Sequence, residues 1–301
     1  MALIQSDNVV LFQNVSSATL TPPTGQSYLV KDIEVFNNNA NYLKFYNNKT
    51  TVGFWRLAGT AGGHLYPADM YTQRPNLMHK LYLDNIFTGY PVVQGENFIM
   101  NTDTGTVNAI AVFFDVYDAS DLTPTKTNGS QSNEYQFVQY LRASTVTSNN
   151  ASLYDTQVTP AEFPAFPANA SVVPAGYTMT LYGIAGTPVS RSAGVNKTGQ
   201  YTQYLKFMRE RTILFDPTKN GLSFYQPLIS NVTGSATLSG VTQIGNNSIL
   251  DKQPYYKFET PLVFVAGEEL DIYLITSYVT TNFTLTPADT EIALIFGVKK
   301  S

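Results

Sequence analysis

The chain has no cysteine among its 301 residues. That excludes disulfide staples, thiol catalysis and thiolate-bound zinc, without fixing a compartment. Charge is scarce too: Asp, Glu, Lys and Arg make up 13%, the net charge is −4, and no run of Lys or Arg occurs. Wrapping a nucleic-acid backbone takes clustered cations, so no direct nucleic-acid partner is expected. The one basic pair, Lys299-Lys300, reads as a solvated tail. Two histidines, His64 and His79, are too few for a histidine-based metal cluster. Neither G-x-S-x-G, H-E-x-x-H, a Walker loop nor G-x-G-x-x-G is found, so the common nucleophile, zinc and phosphate signatures are missing. No apolar run approaches the roughly 20 residues that span a bilayer. The start, MALIQSDNVVLF, lacks the basic n-region and apolar core of a signal peptide, so a soluble chain without an export address is expected.

What is present is strand and loop material. Hydrophobic residues make up 43%, and Tyr (20) and Phe (18) are abundant beside a single Trp. With many Thr, Val and Asn residues and no long Ala/Glu/Lys/Leu stretch, the composition predicts an all-β chain. Alternation agrees. Ile33 and Val35 oppose Asp32 and Glu34 in DIEVF; Leu270, Ile272 and Leu274 oppose Glu269, Asp271 and Tyr273 in EELDIYL. One buried and one wet face is the mark of antiparallel sandwiches.

The chain also repeats itself. NYLKFY (41–46) is echoed by QYLKFM (203–208), and the neighbourhoods match in order. A Pro-x-Gly turn feeds a Tyr-containing strand in TLTPPTGQSYLVKDI (19–33) and in SVVPAGYTMTLYGI (171–184). A Pro opens a Val-rich segment punctuated by Gly-Glu in YPVVQGENFIM (90–100) and in TPLVFVAGEELDIYL (260–274). NAIAVFFDVYD (108–118) and TEIALIFGVKK (290–300) align without gaps, which sets Ile110, Val112, Phe114 and Val116 against Ile292, Leu294, Phe296 and Val298 as one core-facing row. A slip of one residue would bury Asp115 or Lys299 instead. The spacing between matched elements grows along the chain, so the second copy carries longer loops, which are cheap to insert. These matches predict a tandem duplication, roughly 10–118 repeated in 166–300, with a first unit at 1–120, linker and covering loops at 121–165, and a second unit at 166–301. Within the linker, EYQFVQYLRAS (134–144) fits a short helix or a strand. TPAEFPAFPANAS (159–171) reads as an extended arm or covering loop with Phe163 and Phe166 as anchors. The stretch 66–87 is expected to begin with one helical turn after Pro67.

No catalytic, cofactor-binding or metal-binding residue set is expected. His64 and His79 read as turn and structural side chains. Glu268 and Glu269 are neighbours on a strand and point to opposite faces, so they cannot cooperate as a glycosidase pair. Asp84 and Asp216 fit turn caps, and NTDTG (101–105) fits an ordinary turn better than a calcium loop. Nine N-x-S/T sequons stand at Asn14, Asn48, Asn128, Asn150, Asn169, Asn196, Asn231, Asn246 and Asn282, where about four would arise by chance. The pairs Tyr255-Tyr256 and Phe113-Phe114 fit core aromatics, a sugar-stacking platform or an oligomer contact.

Two tandem all-β units, the repeated YLKF, the Pro-x-Gly turns and the paired final strands together resemble the double jelly-roll major capsid proteins of the adenovirus- and tectivirus-like lineage of icosahedral, often membrane-containing viruses. The resemblance covers most of the chain. It implies an all-β fold of two tandem antiparallel jelly-roll β-sandwiches with long loops, and no enzyme activity or cofactor. It further implies a homotrimer of pseudo-hexagonal outline, tiling a virion shell after synthesis in the host cytoplasm. Penton and minor capsid proteins and an internal viral membrane would be its other partners. Long loops, notably 209–260, would form outward towers. The alternatives are a viral receptor-binding spike or carbohydrate-binding β-sandwich protein, a single jelly roll with an inserted turret domain, and a sandwich glycosidase or lyase.

Overall fold

Alternating apolar residues between Pro, Gly and Asn turns build a molecule of antiparallel sheets with one short helix among the described residues. The computed structural model describes residues 2–36, 42–56, 77–118, 134–142, 150–152, 156–157, 172–186, 200–215, 256–278 and 292–300. The chain divides into two compact units, Met1–Gln136 with Glu162–Ala165, and Phe137–Ala161 with Phe166–Ser301.

The first unit holds β1 (Leu3–Val15), β2 (Ser17–Leu20), β3 (Gln26–Phe36), β4 (Tyr42–Asn47), β5 (Thr50–Arg56), α1 (Leu77–Leu83), β6 (Tyr90–Val92), β7 (Phe98–Thr102) and β8 (Val107–Asp118). They form two four-stranded sheets, β1-β8-β3-β6 and β2-β7-β4-β5. Phe45 of β4 and Phe98 of β7 meet Tyr90 of β6, with each pair of ring centroids 5.5 Å apart, so side chains of both sheets share one core. Ile110, Val112, Phe114 and Val116 do face that core, opposite Val35, Ile33, Val30 and Tyr28.

The second unit holds β9 (Glu134–Arg142, entering from the first unit at Phe137), β10 (Asn150–Ser152), β11 (Thr156–Gln157), β12 (Tyr177–Gly186), β13 (Gln200–Arg209), β14 (Thr212–Phe215), β15 (Tyr256–Val265), β16 (Leu270–Tyr278) and β17 (Ile292–Lys300). Its sheets run β11-β9-β17-β12-β15 and β10-β16-β13-β14. With β11 set aside, the order is that of the first unit, strand for strand: β9 matches β1, β10 β2, β12 β3, β13 β4, β14 β5, β15 β6, β16 β7 and β17 β8.

The repeated motifs fall on matched strands. The two YLKF segments lie in β4 and β13, where Phe45 and Phe207 are both fully buried. The Pro-x-Gly turns share one geometry: Gln26 N donates to Pro23 O and Tyr177 N to Pro174 O, with Gly25 and Gly176 at φ +85° and +80°. The left-handed position demands glycine. The Gly-Glu turns match too. Glu96 and Glu268 donate their N–H to Val93 O and Val265 O, and their carboxylates accept from Val93 N and Val265 N. Prolines 91 and 261 sit on β6 and β15, both edge strands, where a missing ladder donor is tolerated.

Three expectations need revision. Residues 134–142, read as part of a linker, form β9, hydrogen-bonded to β17 inside a sheet. The repeat therefore begins near 134 rather than 166, because its first strand carries a mixed Tyr, Gln and Val pattern that hides its period. Lys299 and Lys300 belong to β17, paired with Thr178 and Tyr177 of β12, and are not a tail. Leu294, Ile295, Phe296 and Val298 are all buried, so β17 is covered on both faces instead of one. His64, Phe163, Phe166, Asp216, Tyr255, residues 57–76, most of 209–260 and the sequons at Asn128, Asn169, Asn196, Asn231, Asn246 and Asn282 lie outside the described residues. Among the described residues, no helix is long and apolar enough to cross a membrane.

Candidate functional site

The outer face of the β1-β8-β3-β6 sheet gathers most of the chemistry of the first unit. Two irregularities aim it. A shift of register between Val30 and Asp32 leaves Lys31 and Asp32 together between the core residues Val30 and Ile33. A second shift, between Gln5 and Asn8, surrounds Asp7, whose φ is +55°. Bulges re-aim side chains in this manner. The matched bulge in β12, between Leu181 and Gly183, carries Tyr182 and Gly183 instead, so the charged version belongs to the first unit alone.

Lys31 is the hub. Its Nζ donates to Asp7 Oδ1 and to Asp115 Oδ1, both at 2.7 Å, while Asp115 Oδ1 also accepts from Asp7 N at 2.9 Å. Burial opposes the Lys31 ammonium, but the hydrogen bonds to Asp115 and Asp7 outweigh it and hold its pKa above the ordinary lysine value. The Lys31 hydrogen bond and charge hold the Asp7 carboxyl below its ordinary value. Asp32 sits beside this pair. Its Oδ1 accepts from Ile33 N at 2.8 Å, and its Oδ2 faces His79 Nδ1 of α1 at 3.2 Å. That hydrogen bond, aided by the charges of Asp32 and Glu34, raises the His79 pKa against the opposing effect of burial. Leu77, Met78 and Leu81 of α1 are fully buried, and Lys80 pairs with Asp84 one turn on, at 2.7 Å.

A cavity of about 370 Å³ lies between α1 and the sheet, lined by Asp7, Lys31, Asp32, Glu34, His79, Tyr82, Leu83 and Phe113. His79 and Asp32 make two members of a relay, and among the described residues that line the cavity there is no Ser, Thr or Cys to complete it. Among the described residues, no group of three or more His, Cys, Asp or Glu side chains is placed to hold a metal ion. The His79–Asp32 contact joins α1 to β3, and Lys31 joins β3 to β1 and β8.

Other sequence candidates among the described residues fall at turns. Asp103 of NTDTG accepts from Tyr42 N at 3.0 Å, and Thr102 Oγ1 donates to Gly105 O at 2.8 Å. Glu268 is a turn clamp and Glu269 accepts at its carbonyl from Glu210 N, so the two do not converge. Asn48 takes a left-handed conformation at the β4–β5 turn and accepts from Asn97 N at 3.0 Å. Phe113 lines the cavity while Phe114 is in the core. Sequence reasoning passed over Lys31, Asp7 and Asp115. A readable trace existed, since two successive polar residues between Val30 and Ile33 break the alternation and mark a bulge.

Exposed apolar groups are the second notable feature. Leu3, Ile4, Val9 and Leu11 of β1, and Val263 and Val265 of β15, are each about half exposed. Both strands are sheet edges. A scan against protein-family models and a search of curated proteins find no match to this chain.

Proposed function

We propose that the chain is a structural shell protein of the double jelly-roll type: a major capsid protein that trimerises into pseudo-hexameric capsomers and tiles an icosahedral virion. The observation that carries this reading is the strand order. A jelly roll is eight strands in two sheets, and the orders β1-β8-β3-β6 with β2-β7-β4-β5 return in the second unit as β9-β17-β12-β15 with β10-β16-β13-β14. Two matched eight-strand sets favour two rolls over one roll with an inserted turret. Matched turns at Gly25 and Gly176, and at Gly95 and Gly267, favour duplication of one ancestral unit.

The role is geometric and not catalytic. The cavity under α1 supplies a fastening, and exposed apolar strands supply contact surface. Subunit burial would close the trimer, and weaker contacts between trimers, with penton and minor proteins and an internal membrane, would complete the shell. The chain would be made in the host cytoplasm and function in the virion.

Sedimentation of the purified protein, followed by imaging after mild concentration, tests this. Three chains of 33.2 kDa would give a closed cyclic species of about 100 kDa, with a six-cornered outline and lateral association into sheets. A trimer that never associates laterally would favour a receptor-binding spike. A monomer would remove the shell reading.

A further inference from the structure

Of the nine large apolar side chains exposed among the described residues, six stand on just two strands, four on β1 and two on β15. Those strands are edges of matched sheets, but at opposite ends of the order: β1 is the first position, and β15 is the last. The remaining edges of the same sheets are reduced. In the first unit, the last position is β6, three residues long with Pro91 and a buried Val92. In the second unit, the first position is β9, and β11 occupies its outer side at Leu141 and Arg142. Each unit thus keeps one long apolar edge, and the two are unlike.

We propose that these edges are the two halves of one contact between copies of the chain: the outer strip of β1 in one copy packs against the outer strip of β15 in the next. The proposal rests on the shell reading and names its subunit interface. Long open edges with apolar faces invite association, and two unlike surfaces joined head to tail give a heterologous contact, which forms a ring where its rotation closes and a filament where it does not. Charge favours a neutral protein partner. The only charged residue of β1 is Asp7, already engaged by Lys31, and the charges of β15, Lys257 and Glu259, are four or more residues from Val263. The one lysine of β15, Lys257, is offset by Glu259, and β1 carries no cation, so neither strip has the net positive charge that an anionic lipid or nucleic-acid surface would seek. Area buried per chain favours a ring over a twofold contact of β1 with itself, because the twofold contact covers one strip of each chain and the ring covers two. Thirteen residues of strand make a strip about 43 Å long and about 10 Å wide, on the order of 400 Å². That is about half of the roughly 800 Å² that each partner gives to a stable pair. A ring uses the β1 and β15 strips of every chain at once.

The absence of cysteine makes the test clean. Leu11→Cys and Val263→Cys are introduced singly and together in the full chain and treated with a short bismaleimide. The double variant is expected to give covalent species up to three chains. A mixture of the two single variants, co-expressed, is expected to give covalent pairs, and each single variant alone none. Leu83→Cys combined with Val263→Cys should stay unlinked. The pair Val9→Asp and Leu11→Asp, at exposed positions, should keep the wild-type circular dichroism and weaken trimer formation by about tenfold or more. Pairs formed by Leu11→Cys alone would overturn the head-to-tail contact. Trimers that form without the Leu11–Val263 link would overturn this surface and leave the shell reading standing. Wild-type monomers would remove both.

Discussion

Lys31 is one ammonium serving two carboxylates, and the two are not equal. The Asp7 side chain is 82% exposed and the Asp115 side chain 10%. Water can replace Lys31 at Asp7 but hardly at Asp115. Lys31→Met therefore leaves a buried carboxylate without its cation, and we expect a loss of roughly 2–3 kcal/mol in urea unfolding, below the range for a fully enclosed pair. Replacing both partners, Lys31→Met with Asp115→Leu, should restore most of that loss, because no charge is then stranded. A double variant as weak as the single one would show that the lysine acts by packing alone. His79 gives a pH signature. Its pKa is higher in the folded state than its ordinary 6.5, so the folded protein holds the proton more tightly. The stabilisation is fully present below pH 6.5 and fades as pH rises through the folded-state value. The Tm difference between wild type and His79→Gln should be largest near pH 5.5 and vanish at higher pH. His79 is 43% exposed and screened by water, so about 1 °C is expected.

Elements were legible where period and turn chemistry agree. The core rows of β8 and β17, the YLKF strands and the four glycine turns could all be read, because alternation and left-handed glycines leave local marks. What could not be read depends on distant partners. The sequence pattern places Asp32 and Asp115 on a wet face, yet both are buried, because α1 covers one and Lys31 meets the other from 84 residues away in the chain. The helix at Leu77–Leu83 has seven residues, too few for its period to stand out in the sequence. β9 escaped because its tyrosines and glutamines fit either period. The segment joining α1 to β6 gives a sharper test. Gly89 has φ +91°, and a Cβ there would lie 2.8 Å from Leu29 Cδ1 and 2.9 Å from Val30 O, whereas Gly25 at φ +85° has open space. Gly25→Ala carries only the backbone strain, about 1 kcal/mol. Gly89→Ala adds a collision with main chain and should cost about 2–3 kcal/mol or more. Equal costs for the two would mean that the loop shifts freely off β3.

At the scale of the molecule, each unit's sheet is centred on its last strand. β8 lies between β1 and β3, and β17 lies between β9 and β12. Hydrogen-bonded on both sides and carrying fully buried side chains, these two strands should be the slowest to exchange amide protons, ahead of β6 and β14 at the edges. Hydrogen exchange with mass readout checks this. Fast exchange in β17 beside slow exchange in β8 would mean that the two units differ in stability more than their shared order suggests.

The same centring bears on how the chain is made. A ribosome delivers β9 and β12 long before β17, so the growing second sheet must wait with a vacant slot at its middle and two unsatisfied strand borders facing each other. Such pairings between distant residues close late and slowly. During that wait the nascent chain is exposed to insertion of a foreign strand, from a neighbouring copy above all. Crowded synthesis would then turn the fold's last step into its most hazardous one, and the yield of native protein should fall as expression rate climbs.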